Sequence, residues 1–340
     1  DIGGAHVKAA AVDARGRVVA ALQVPCALWR GLDRLHLALD QALTQLQTAQ
    51  LAAGHAATMT GELADLFADR DEGVRRIVGT LQQRIGDRRL RVFAGERGLL
   101  DPGEALLRTA EVASANWIAT AQLVAARRAH ALLVDIGSTT TDLVAVCDGR
   151  VQAGGRSDFE RLVSGELVYT GVVRTSLMSV ADAIEFEGLR VPLMAEHFAT
   201  MADVYRLTGE LDEGSDQHAA ADGGEKTPQA SARRLARMIG VDAQSRPPAA
   251  WRQLAASFRS TQLERIRRAA QQVLLRGRVE PAAPLVAAGS GAFLVPEVAS
   301  ALHRPAVEIA RLVDSRVAPA ALAMCAPAAA VAILALQQAH

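Results

Sequence analysis

Residues 131–146 read ALLVDIGSTTTDLVAV, and this stretch decides the fold. An aliphatic run carries the chain to Asp135, Gly137 and a block of hydroxyls make a turn, and a second apolar run leaves from Leu143. The pattern predicts strand, tight turn, strand. Gly137 lets backbone come close to a ligand, while Ser138, Thr139, Thr140 and Thr141 offer hydroxyl and amide donors to phosphate oxygens. Asp135 and Asp142 could hold a hydrated Mg²⁺ beside them. The same residue types also build an ordinary hairpin with a polar tip, so the motif alone leaves both readings open.

A second copy favours the phosphate clamp. The chain opens DIGGAHVKAAAV, and setting Asp1 on Asp135 aligns Ile2 with Ile136, Gly3 with Gly137, Ala11 with Ala145 and Val12 with Val146. Both copies then reach a turn followed by Arg-Val, at Arg17 and Arg150, with one residue of slip. Each copy starts a half-chain, which predicts two related α/β domains facing a cleft, residues 1–128 and 129–340. Lys8 aligns with Asp142, so one copy carries a cation where the other carries a carboxylate.

At 340 residues, half of them hydrophobic and with 37 basic side chains balancing 37 acidic ones, the chain can bury a sizeable core and shows no basic excess for nucleic acid. Charged and polar residues interrupt every long apolar stretch, and no hydrophobic leader precedes Asp1, so neither a membrane span nor a secretory signal is expected. Cys26, Cys147 and Cys325 lack the spacing of a zinc site or a disulfide framework and read as reduced core thiols of a cytoplasmic protein. Homo-oligomerisation is left open.

Other stretches supply further candidates. Leucines at helical spacing predict a helix over 32–46, and charged amphipathic patterning another over 72–85. Between them, Thr60-Gly-Glu-Leu-Ala-Asp65 follows a short strand; Glu62 and Asp65, three apart, should share one face of a helix's first turn, as capping acids or as catalytic carboxylates. Asn116 lies inside a helical pattern spanning 104–128 and is a weak substrate-binding candidate. Tyr169 and Arg174 are polar enough to bind substrate, and at that spacing could equally support the interdomain surface. Residues 212–226 form a polar, Gly-rich loop expected to be mobile, and helices are expected over 196–207, 227–239 and 251–275. Near the end, an apolar strand runs into Gly289-Ser-Gly291, whose backbone can pass against a phosphate or a flat group, and 317–338 is an Ala-rich closing helix.

Two DxG loops and a late strand-GxG-helix resemble the acetate kinase, sugar kinase, actin and heat-shock-chaperone superfamily, which implies paired ribonuclease-H-like domains. More narrowly, DIGGAHVKAA, TMTGELADLF, ANWIATA, LLVDIGSTTTDLV, YTGVVRTS, DGGEKTPQASARRLAR and AAGSGAFLVP resemble the hydantoinase A and oxoprolinase-related proteins of the tetrahydromethanopterin-linked one-carbon pathway. That group is similar to the archaeal methanofuran-biosynthesis enzymes, which join an aminomethylfuran-methyl diphosphate to the phenol of a gamma-glutamyltyramine-type acceptor and release diphosphate.

The resemblance implies a transferase of methanofuran or methylofuran synthesis whose partners are a small-molecule diphosphate and a phenolic acceptor. In that reading Gly3, Gly4, Gly137, Ser138, Thr139, Thr140, Gly289 and Gly291 bind phosphate, and Asp1 and Asp135 orient hydrated Mg²⁺. Lys8 neutralises charge, and Glu62, Asp65 or Asp142 takes the phenol proton. Relatives bind ATP with the same loops, so an ATP-dependent small-molecule kinase or hydantoinase- or oxoprolinase-type ATPase is the first alternative. A non-catalytic, nucleotide-gated binding protein is the second.

Overall fold

The computed structural model describes residues 1–46, 54–86 and 89–338. Its first elements are strands β1 (His6–Val12) and β2 (Val18–Pro25), helix α1 (Leu32–Leu46), strand β3 (His55–Ala57), helix α2 (Arg70–Ile85), and strands β4 (Leu90–Phe93) and β5 (Leu99–Leu100). Helices α3 (Pro102–Leu106), α4 (Thr109–Val112) and α5 (Asn116–Ala125) follow, then strands β6 (Ala131–Ile136), β7 (Thr141–Cys147) and β8 (Arg150–Gln152). Next come α6 (Asp158–Ser164), β9 (Leu167–Val168), the hairpin of β10 (Ala183–Phe186) and β11 (Leu189–Pro192), and helices α7 (Met201–Thr208), α8 (Pro228–Met238) and α9 (Pro248–Gly277). The chain closes with β12 (Leu285–Ala288), α10 (Val295–Ala301), β13 (Ala306–Glu308), α11 (Pro319–Met324) and α12 (Ala326–Gln338). The architecture is mixed α/β, and among the described residues no helix is long and apolar enough to cross a membrane.

Two compact units form. The first takes Asp1–Ala131, Val146–Gln152 and Val307–His340; the second takes Leu132–Ala145 and Ala153–Ala306. A single cut near Arg128 therefore does not describe the division, because α12 packs on α5 and β1. Ala330, Val331 and Ile333 of α12 share a core with Val18, Phe93 and Leu123, and a helix of mostly alanine and larger aliphatic residues buries most of its length.

In the first unit β1 and β2 pair antiparallel, β3 and β4 pair parallel, and β5 closes antiparallel on β4. Helix α1 buries Leu35, Ala38, Leu39 and Ala42, the i, i+3, i+4, i+7 stripe of its sequence. The stretch 104–128, expected to be one helix, breaks at Ser114, which holds φ 51° between α4 and α5. The closing helix likewise breaks at Cys325, between α11 and α12.

In the second unit β6 and β12 run parallel at the centre, with Ala288 opposite Asp135, and β7 lies beside β6. All six positions of β6 and all four of β12 are buried, which is why both read as apolar runs rather than alternating ones, broken in β6 only by Asp135. The 30-residue α9 packs against α7 and α8, and its Trp251 stacks on Phe186 with ring centroids 5.7 Å apart. The 212–226 loop, expected to be mobile, is tied down by ion pairs. Arg206 binds Glu213 at 2.9 Å and Asp216 at 2.6 Å, Lys226 binds Asp216 at 3.2 Å, and Arg234 binds Asp222 at 3.0 Å. Asp203 lies at the root of this network, 2.7 Å from Arg234, so two buried guanidiniums are each met by carboxylates.

Candidate phosphate-binding site

The second unit gathers the sequence candidates at the carboxyl ends of β6 and β12, the end of parallel strands where α/β sheets place ligands. Asp135 is the penultimate residue of β6, and the loop 137–140 leads into β7. Gly289 and Gly291 pack directly on this strand end. Gly289 holds φ +83°, and a Cβ there would lie 2.2 Å from the Ile136 carbonyl oxygen and 2.4 Å from Asp135 Oδ1. The Gly291 amide donates to the Ile136 carbonyl at 2.7 Å. Only glycine fits at 289, since any side chain would displace the carboxylate and strain the backbone at once.

The loop itself is held from one side. The Gly137 carbonyl accepts from the Val172 amide at 3.0 Å, and the Ser138 carbonyl accepts from the amides of Val173 and Arg174 at 3.1 and 2.8 Å. The Thr139 carbonyl takes the Thr175 hydroxyl at 3.3 Å, and the Thr140 carbonyl takes the Gly137 amide at 2.8 Å. All four carbonyls are thus occupied by protein donors. The described residues contain no cis peptide, and in a trans peptide the N–H points opposite to the preceding C=O. The amides of Ser138, Thr139 and Thr140 therefore point away from the 172–175 brace, on the side of the loop that its carbonyl bonds leave open. Gly171 makes the close approach possible: a Cβ there would lie 2.4 Å from the Thr139 nitrogen.

The brace has its own support. The Thr141 hydroxyl, expected to face phosphate, is buried and donates to the Thr170 carbonyl at 2.7 Å. From α9, buried Gln262 donates to the Thr170 hydroxyl at 2.7 Å and to the Gly171 carbonyl at 2.9 Å, and accepts from the Tyr205 hydroxyl. Gln262, Tyr205, Gly171 and Thr175 are the positioning residues that sequence reading missed. Of these, only Gly171 and Thr175 lie in a stretch, YTGVVRTS, that carried a signal. Tyr169 and Arg174 of the same stretch are exposed, Tyr169 at 57%, and so are open to a bound molecule.

Asp142 is differently placed from expectation. Its Oδ1 accepts from the buried Arg161 guanidinium at 2.8 Å, which also donates to the Glu166 carbonyl. A carboxylate tied to a buried cation anchors α6 to β7.

The first unit carries a parallel construction. The Gly3 amide donates to the His6 carbonyl at 2.9 Å, as Gly137 does to Thr140, and the Gly61 amide donates to the Ile2 carbonyl at 2.9 Å, as Gly291 does to Ile136. Gly4 and Ala5 carbonyls accept from the amides of Leu28 and Cys26, so this loop too is braced through its carbonyls. Gly3 and Gly4 lie in that loop and Lys8 on β1, half-buried. Asp1 Oδ1 and the buried Thr58 hydroxyl lack a hydrogen-bond partner among the described residues, and the bridge of Ile2 to Met59 sets Asp1 beside Thr58. Buried oxygens left this way are normally met by water or a cation.

Three candidates of this unit are corrected. Glu62 and Asp65 do not share a helix face: Glu62 sits in a 3-10 turn over Gly61–Leu63, and α2 begins only at Arg70 with Asp69 as its cap. Glu62 is 1% exposed, accepts from the Ser114 hydroxyl at 2.6 Å and is pressed by Gly73, whose Cβ would lie 2.5 Å from the Glu62 carbonyl. Asp65 is exposed in the following turn. Asn116 starts α5 rather than sitting inside a helix, and its side-chain oxygen accepts from the Trp117 amide at 2.8 Å, a local backbone role.

Among the described residues no group of three or more His, Cys, Asp or Glu is placed to hold a metal. Asp135 with the loop hydroxyls offers one carboxylate and weak oxygen donors. That donor set fits Mg²⁺, which keeps much of its water and takes ligand phosphate oxygens.

A family profile described as Hydantoinase/oxoprolinase matches residues 53–335. The (4-{4-[2-(gamma-L-glutamylamino)ethyl]phenoxymethyl}furan-2-yl)methanamine synthase of Methanocaldococcus jannaschii is 31% identical over 243 residues, covering 71% of this chain and 71% of that protein. A protein of the same name from Methanococcus vannielii is 36% identical over 84 residues, 25% of this chain and 37% of its own length. Among solved structures, a nucleotide-free acetone carboxylase chain described in the context of ATP-dependent acetone carboxylation is similar, with a TM-score of 0.49 and 12% identity over 89% of this chain. The match spans 46% of that chain.

Proposed function

Because this chain belongs to the hydantoinase/oxoprolinase family, we propose that it is an enzyme of methanofuran-type cofactor synthesis that joins an aminomethylfuran-methyl diphosphate to a phenolic acceptor. The observation that carries the reading is the braced loop at 137–140, whose outward amides and hydroxyls suit a diphosphate. The synthase likeness over 71% of the chain supports the substrate class. The duplicated loop, glycine and 3-10 turn, the last over Gly61–Leu63 and Ala292–Leu294, support reading each unit as a ribonuclease-H-like domain.

In this reaction the bond between the furanylmethyl carbon and the diphosphate oxygen breaks, and its electron pair leaves with diphosphate. The phenol oxygen forms the new carbon–oxygen bond, and the phenol proton passes to water or to the departing diphosphate. The furan oxygen delocalises the positive charge that develops at the methylene carbon, so attack needs no strong base. That fits a site in which Glu62 and Asp142 are already committed. Amides of Ser138, Thr139 and Thr140 stabilise charge growing on the leaving group, and they are oriented before substrate arrives. Asp135 would hold Mg²⁺, which when bound supplies further charge neutralisation to the diphosphate. Exposed Tyr169 and Arg174, next to the loop in the chain's brace, contact the acceptor.

The test is a diphosphate-release assay with the furanylmethyl diphosphate and a panel of phenols including gamma-glutamyltyramine, with and without ATP. Release that requires both substrates and ignores ATP is expected. Phosphate transfer from ATP to the acceptor, with no aryl ether formed, replaces this reading with the kinase.

A further inference from the structure

We propose that the second unit contains a separate binding pocket for a small organic polyanion bearing two or more carboxylate or phosphate groups. The pocket has a volume of about 560 Å³ and is formed by the end of α7, the first turns of α8 and α9, and the 3-10 turn over Ala243–Ser245. That volume is in the range of small-molecule sites. Four arginines line it, Arg206, Arg233, Arg246 and Arg252, and among the described residues no acidic side chain does.

Two of those charges are already answered. Arg206 binds Glu213 and Asp216, and Arg246 binds Glu187 at 2.9 Å. Arg233 and Arg252 are exposed and have no ion pair or hydrogen bond among the described residues, so the pocket carries an uncompensated positive charge. Neither α8 nor α9 has an acid in its first turn, and while Thr227 caps α8, α9 has no side-chain cap, so the partial positive charge of the α9 start also goes unanswered. Trp251 forms an apolar wall: its indole N–H is spent on the Ala243 carbonyl at 2.9 Å, leaving the ring to pack against carbon. Guanidinium forks match the paired oxygens of carboxylate and phosphate alike, which sets the chemistry of the occupant. The stretch DGGEKTPQASARRLAR, unexplained by the diphosphate site, supplies Pro228, Gln229, Ala232 and Arg233 of this lining.

The inference is independent of the proposed reaction, and binding alone tests it. Titration calorimetry on the full chain with triglutamate and, separately, inorganic diphosphate distinguishes an oligocarboxylate from an oligophosphate occupant. Arg233→Gln/Arg252→Gln should weaken one of the two probes about tenfold or more, the loss expected when charge-assisted hydrogen bonds are removed. Arg190→Gln/Arg268→Gln, which removes the same charge elsewhere on the unit, should leave it unchanged, and both variants should melt like the parent. Equal weakening by the two variants, or no triglutamate binding together with diphosphate binding insensitive to Arg233 and Arg252, overturns the proposal.

Discussion

The loops after Ile2 and after Ile136 share one skeleton and differ in what clothes it. Each is closed by an amide of its first glycine, each is gripped through its carbonyls, and each has a glycine amide from a following strand end resting on the isoleucine carbonyl. In the second unit the loop carries Ser138, Thr139 and Thr140 and is backed by Gly171 and Gln262. In the first it carries Gly4, Ala5 and the buried His6, with Lys8 beyond it. The backbone device is therefore general to the chain, and the hydroxyls and the polar backing distinguish the copy proposed to take the diphosphate.

The sharpest way to break that comparison is a methyl group. Gly289→Ala places a Cβ against two backbone atoms at a positive φ and should cost about 3 kcal/mol in urea unfolding, with loss of most diphosphate release. Gly61→Ala, in the glycine turn of the first unit, meets Leu28 Cδ2 at 3.0 Å and the Ile2 carbonyl at 3.1 Å, and should cost about 1 kcal/mol because a leucine methyl can give. Equal costs would mean that the two copies are equally tight. Asp135→Asn should lower diphosphate release about a hundredfold with the melting temperature nearly unchanged, as expected for loss of a charge acting mainly on the transition state; near-normal turnover would remove Asp135 from the site.

Gln262→Ala comes next. It strands the Gly171 carbonyl and the Thr170 hydroxyl, so a loss of about 1–3 kcal/mol and faster amide exchange across 137–140 are expected. Unchanged exchange there would show that the brace needs no support from α9. The smallest effect lies in the first unit's brace. Burial pushes the Cys26 thiol from 9.0 up to about 11, so the folded chain keeps a proton across that interval that the unfolded chain gives up. Stability is full below pH 9 and falls as pH rises towards 11. Cys26→Ala should flatten part of that fall in melting temperature, and an identical pH profile would assign the fall to other groups.

How much of this was legible depends on sequence distance. The hairpins, α1 and the GxG turn were readable because their signals are local: spacing of leucines, a glycine among hydroxyls, an apolar run. Glu62 and Asp65 misled because a three-residue spacing suggests a helix, whereas Glu62 sits in a 3-10 turn against which Gly73 packs closely. The match of Gly61 with Gly291 escaped because TGEL and GSGA share little beyond that glycine. Gln262 was invisible, since it reaches a partner 92 residues away from the middle of an arginine-rich helix. The membership of α12 in the first unit was equally hidden, for an alanine helix looks the same whichever core accepts it.

Fastening a receptor by its carbonyls shifts when its disorder is lost. The segment after Ile136 surrenders its freedom as the chain folds, so an arriving anion meets amides already aimed and incurs little ordering entropy of its own. Capture by such a rigid cradle should be fast, limited by encounter and shedding of water rather than by rearrangement of the protein.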